Sequence, residues 1–183
     1  MSEQRHPEAS TRRWVENVIV GLNFCPFARK ELLQNTIRFA VTDVTDLEGA
    51  LQQLAAEWRH LDEEGGVETT LLIFAEGFRD FEDFLQLIDF GEELLSLQGY
   101  EGTYQLAHFH PDYCFADADA DDAANYTNRS PYPMLHIIRE KSMAMVLDSY
   151  PDPESIPERN IELARGKGIE AMRQLLRHCI GDA

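Results

Sequence analysis

The strongest constraint on the fold is an alternation in which β-rich runs are separated by amphipathic helical stripes. Residues 36–44 (TIRFAVTDV) have the β-branched and aromatic content of a strand. Asp46 then stands in N-cap position before Leu47, Leu51, Leu54, Trp58 and Leu61, whose spacing by threes and fours puts them on one face of a helix. Gly65-Gly66 ends that helix. Residues 68–75 (ETTLLIFA) form a second strand, with a continuous apolar run suited to burial on both faces. The next helix, 80–97, carries Phe81, Phe84, Leu85, Ile88 and Leu95 on one side and Leu87, Phe90 and Leu94 on another, which predicts enclosure. Residues 103–109 (TYQLAHF) give a third strand. Strands alternating with helices predict an α/β fold: a small, mostly parallel sheet of three or slightly more strands, flanked by helices.

Both ends of the chain read as helical. After a polar arm at 1–9, Ser10 or Thr11 caps a helix with Trp14, Val15, Val18, Ile19 and Leu22 on one face, and Pro26 suits the first turn of a short second helix. Residues 134–147 predict a helix, although MLHIIR also has strand composition. Pro151, Pro153 and Pro157 mark a turn before a last helix at 157–179, which Gly166 and Gly168 bend. A long loop, 110–133, lies between. The length of 183 residues suits a single domain.

Charge narrows the list of partners. The chain has 33 acids against 16 Lys plus Arg, a net −17, and residues 43–122 hold 21 acids against two bases, Arg59 and Arg79. That field disfavours phosphate backbones and anionic membranes, so neither nucleic acid nor a membrane is expected as a partner. Cys25, Cys114 and Cys179 show no CxxC spacing, which argues against a disulfide scaffold. The start MSEQRHPEAS has no apolar leader core, and no apolar run reaches membrane length, so a cytoplasmic location is expected. GxSxG, HExxH, Walker A and dinucleotide-type GxGxxG patterns are absent. Asp117, Asp119 and Asp121 mimic the opening of a calcium loop, but Asp122 and Asn128 stand where its Gly and Glu belong.

Ligands of parallel sheets sit outside the carboxyl ends of strands, and the richest exit here is His108-Phe-His110-Pro-Asp112-Tyr113-Cys114. Alternation sends His108 and His110 to one face, where Cys114 or Asp112 and then His136 would complete a site for a divalent metal such as zinc or iron. Farther on, Ser130 as N-cap and Pro131 as first helical residue would expose a helix N-terminus beside Arg129, with His136 and Arg139 three apart on that helix. Such a place suits a carboxylate or phosphate. Cys25, just before Pro26 and close to Arg29, has the setting of an activated thiol.

Four segments, VIVGLNFCPFA (18–28), FHPDYCF (109–115), NYTNRSPYPMLHIIRE (125–140) and IPERNIELARGKG (156–168), together resemble a largely bacterial family, domain of unknown function family 1415. The similarity spans nearly the whole chain. It implies that these segments form the shared part and adds Arg159 and Asn160 as candidate partners of the site; no activity comes with it.

The leading expectation is an enzyme-like protein that binds a small anionic ligand in a polar pocket at the strand ends. Arg129 and Arg139 would hold the anion, with Asn128, Ser130, Tyr113 and Asn160 beside it. His110 or His136 would act as acid or base, oriented by Asp112, and Cys25 as nucleophile. Two rivals stand beside it: a metalloprotein using His108, His110 and Cys114, and a non-catalytic binding protein, for which a homodimer is allowed. Whether catalysis occurs is left open by the sequence.

Overall fold

The computed structural model describes residues 6–181. Helix α1 (Pro7–Trp14) continues into a π-helical stretch, Val15–Val20, and is followed by α2 (Ala28–Gln34). The chain then runs through β1 (Ile37–Thr42), α3 (Leu47–Glu63), β2 (Thr69–Phe74), α4 (Phe81–Leu97) and β3 (Tyr104–Phe109). After the long loop come β4 (Met134–Arg139), α5 (Glu140–Ser149), α6 (Ile156–Lys167) and α7 (Ile169–Ile180).

The expected helices α3 and α4 form, but α4 is not enclosed: one side packs on the core through Phe84, Leu87, Ile88 and Leu95 while Phe90 stays exposed to solvent. Both start on side-chain caps. Asp46 accepts from the Gly49 amide at 2.8 Å, and Asp80 accepts from the amides of Glu82 and Asp83 at 2.9 and 3.2 Å. The sheet is mixed rather than mostly parallel. It has four strands in the order β1-β2-β4-β3, with β1 parallel to β2 and β4 antiparallel to both of its neighbours. The three strands expected from the sequence therefore do run in one direction. MLHIIR, expected to open a helix, instead enters between two of them as β4, and the helix begins only at Glu140.

Three other expectations are corrected. The first helix starts at Pro7, with proline in its first turn, and Ser10 and Thr11 lie buried inside it rather than at its cap. Pro26 lies in the turn before α2, which begins only at Ala28. The last helix is two, because Gly168 adopts φ 85° and ψ 154°, a conformation that breaks the helical path.

The sheet separates two cores. On one face Leu72, Phe74, Leu135 and Ile137 pack with Leu54, Trp58, Phe84 and Leu87 of α3 and α4. On the other, Leu71, Ile73 and Met134 pack with Trp14, Val15 and Val18 and with residues of α6 and α7. Helices thus cover both faces. Across this second face, paired residues stand side by side: His136 lies between Leu71 of β2 and Ala107 of β3, and Met134 between Ile73 and Phe109.

Candidate functional site

A cavity of about 420 Å³ lies on that second face. Leu71, Ala107, Phe109, His136 and Ile138 form its floor. Its walls come from Trp14, Val15 and Ile19, from the turn carrying Cys25 and Phe27, and from Ser142, Met143 and Val146 of α5 and Ile156, Asn160 and Ile161 of α6. Glu31, Ile37, Glu68, Thr69 and Arg139 close the end near the start of β1 and β2. The cavity therefore lies over the middle of the sheet and reaches from the amino ends of β1 and β2 to the carboxyl end of β3, where Phe109, Phe115, Thr127 and Asn128 line it. A size of this order is usual for small-molecule sites.

His136 is the best-defined polar group on the floor. Its Nε2 lies 2.7 Å from Thr69 Oγ1, and that hydroxyl donates to the Ile137 carbonyl at 2.6 Å. The hydroxyl proton being spent, Thr69 accepts from Nε2–H, and the ring's lone pair stays on Nδ1. Burial among apolar groups pushes the His136 pKa down to about 4, so the ring is neutral at physiological pH.

Cys25 also lines the cavity. Burial raises its thiol pKa, and the amides of Phe27 and Ala28 oppose the shift only in part. The sulfur is therefore a protonated thiol at neutral pH, a weak nucleophile. Asn160 donates to the Phe24 carbonyl at 2.6 Å, and Arg159 donates to the Asn23 carbonyl and the Tyr150 hydroxyl, each at 2.8 Å. These bonds lock α6 onto the turn that presents Cys25. Asn23 there has φ 56°, a left-handed conformation that asparagine tolerates.

The arginines are committed elsewhere. Arg139 donates to the carbonyls of Leu61 at 2.5 Å and Val67 at 3.2 Å, and to the Tyr104 hydroxyl at 3.2 Å. Arg129 donates to the carbonyls of Tyr113 and Ala120, both at 3.0 Å, and lies over the Tyr126 ring. It fastens the two limbs of the 110–133 loop together. The helix N-terminus expected at Ser130 does not form: Ser130 is buried, donates to the Tyr132 carbonyl at 2.7 Å, and leads into β4. A strand start presents no row of free amides to an anion.

The histidines of the strand exit also divide. His108 and His110 turn toward α4, whereas His136 faces the cavity on the other side of the sheet, because β4 pairs it with Ala107 and not with His108. His110 is fully buried against Phe81 and Phe84. Its Nδ1 accepts from the Asp112 amide at 3.0 Å, so Nε2 donates to the Phe78 carbonyl at 2.9 Å. Both nitrogens are spent on backbone, and desolvation lowers its pKa. Asp112 meets it through its amide; the residue itself is exposed. His108 stacks on Tyr113, with burial lowering its pKa. The Cys114 thiol bonds within its loop, to the Ala118 carbonyl at 3.4 Å. Among the described residues no group of three or more His, Cys, Asp or Glu is placed to hold a metal ion.

Of the candidates drawn from the sequence, the cavity gathers Cys25, Asn128, His136, Arg139 and Asn160, while His108, His110, Asp112, Tyr113, Cys114, Arg129 and Ser130 lie outside its lining. The sequence reading missed Glu31, Glu68, Thr69 and Ser142. The only signal for Glu68 and Thr69 is their place as polar residues heading an apolar strand. Ser142 has none.

Fold and site together define a three-layer α/β protein with a small-molecule-sized cavity between sheet and helices. No helix among the described residues is long and apolar enough to cross a membrane. Comparison with curated proteins and with solved structures finds no significant match. The chain does match the family described as Protein of unknown function (DUF1415) over residues 6–174, and it belongs to that family.

Proposed function

We propose that the protein binds a small, mainly apolar organic molecule in the cavity over its sheet. The observation that carries this reading is α5. No residue of that helix is buried, and its inward side chains Ser142, Met143 and Val146 face the cavity instead of a packed core. A ligand would complete the apolar contact that the fold leaves open on this side. Water is a poor filler here, since most of the lining is apolar and offers it few partners.

Of the three readings raised by the sequence, binding without turnover is favoured. A general base works best with a pKa near the operating pH, and His136 lies far below that at about 4. The Cys25 thiol is held protonated by burial, and His110 has no free nitrogen. The anionic preference loses support because Arg129 and Arg139 turn their donors to carbonyls and a tyrosine hydroxyl. The metal reading loses support because both His110 nitrogens are bound to backbone, the Cys114 thiol bonds within its loop, and among the described residues His108, His110 and Cys114 do not converge on a metal position.

Phenylbutanol tests the proposal as a neutral apolar probe. It should raise the melting temperature in a concentration-dependent way, as any ligand of the native state does. Ala107→Phe, which fills the floor, should be folded and should remove that response. An unchanged response in Ala107→Phe would mean that the probe binds elsewhere and would refute the assignment.

A further inference from the structure

The charged groups on the cavity wall are Glu31, Glu68 and Arg139. Two of them are satisfied. Glu31 accepts from the Thr36 hydroxyl at 2.5 Å and lies 3.5 Å from the Lys30 ammonium. Arg139 makes three hydrogen bonds, and Tyr104, which accepts one of them, passes its own proton to Asp62 at 2.7 Å. Glu68 alone is unmatched: among the described residues its side chain has no ion pair, and its Oε1 is buried without a hydrogen-bond partner. A carboxylate partly removed from water and left without a counter-charge is costly, so its presence on a ligand cavity calls for a cation. On the floor, His136 adds an acceptor rather than a competing donor, since its hydrogen bond to Thr69 uses Nε2 as donor and leaves the lone pair on Nδ1.

We infer that the cavity is selective for a protonated amine on an apolar body, with the ammonium paired to Glu68 and able to donate to His136 Nδ1, and with the body against Leu71, Phe109 and Met143. This inference rests on the cavity reading above and narrows it to one ligand class. It runs opposite to the anionic expectation drawn from the sequence, because the arginines that would serve an anion are occupied and a carboxylate is what remains unpaired.

Isothermal titration of the intact protein with a matched set (phenylbutylamine, phenylbutanol and phenylbutyrate) tests it. The amine should bind roughly tenfold more tightly than the alcohol, the magnitude usual for one charge-assisted hydrogen bond, and the carboxylate most weakly. Glu68→Gln should bring the amine down to the affinity of the alcohol, with a near-native circular dichroism spectrum and cooperative urea unfolding showing that the variant is folded. Glu68→Asp should keep part of the amine preference. An amine preference that survives in Glu68→Gln would trace to the general negative charge of the surface and would overturn the inference, as would carboxylate binding equal to the amine. Alcohol binding with no amine preference would overturn the inference but leave the cavity reading standing. Absence of binding by all three probes would bring down both.

Discussion

Each ring nitrogen of His110 has a backbone partner, and the ring lies between Phe81 and Phe84. Replacing it with alanine leaves the Phe78 carbonyl and the Asp112 amide unpaired and opens a gap. Urea unfolding of His110→Ala should show a loss of about 3 kcal/mol, while phenylbutanol binding by the folded fraction stays intact. A stable variant that no longer binds would contradict the structural role. His136 makes a pH prediction. Its folded pKa is about 4 against an ordinary 6.5, so between those values the unfolded chain takes up a proton that the folded chain refuses. Stability is thus fully present above about pH 6.5 and lost as pH falls toward 4. His108 and His110, also lowered, add to the same slope. Relative to wild type, His136→Gln should flatten the pH dependence of unfolding by about 2 kcal/mol over that window, after allowing for partial exposure. Parallel curves for the two proteins would contradict it. From the sequence His110 and His136 are equal candidates for an acid or base, and what separates them is the pairing register of β4, which sets His136 beside Ala107.

Among elements, the run from β1 through β3 is legible because its helices and strands have distinct periods and firm punctuation at Asp46 and Gly65-Gly66. MLHIIR is ambiguous because four apolar residues interrupted by His136 fit a buried helix face and a two-sided strand equally well. The choice is tertiary: β4 finds partners on both edges, between β2 and β3, and leaves no free side. The antiparallel insertion also explains why the cavity extends beyond the β3 exit toward the other end of the sheet, since it delivers His136, Ile138 and Arg139 to the amino ends of β1 and β2. The break at Gly168 has a direct test. A Cβ there meets nothing within 4 Å, so the cost of Gly168→Ala is conformational alone. It should destabilise by about 1–3 kcal/mol through the φ of 85°, seen as a lower urea midpoint with an unchanged slope. Full stability would mean that the α6–α7 junction tolerates another backbone path. For α5, with no buried residue, hydrogen exchange should be faster than for α3 and α4, and should slow when phenylbutanol is bound. Exchange in α5 as slow as in α3 without ligand would argue that the helix is already packed.

Over the whole molecule, the two faces of the sheet divide the labour. The α3–α4 face is a closed core with Trp58 and the paired Arg38 and Glu57 at its side. The α1–α6 face is packed around Met134 and Ile73 but hollow around His136 and Ile138. The motif segments that carry the family resemblance serve that second face in an unexpected way. Asn160, Arg159, Asn125 and Arg129 tie loops to the body through backbone carbonyls. Residue type alone could not distinguish an arginine that grips a loop from one that grips a ligand, because both tasks use the same fork of donors.

The claim that the hollow over the sheet is a binding cavity can be tested through tryptophan fluorescence. The chain has two tryptophans; Trp14 lines the cavity and Trp58 lies in the opposite core. In Trp58→Phe, titration with phenylbutanol should shift the Trp14 emission along a saturable curve, and the shift should vanish when Ala107→Phe is added. A Trp14 signal that does not respond to the probe, or one that responds equally in the filled variant, would contradict the account.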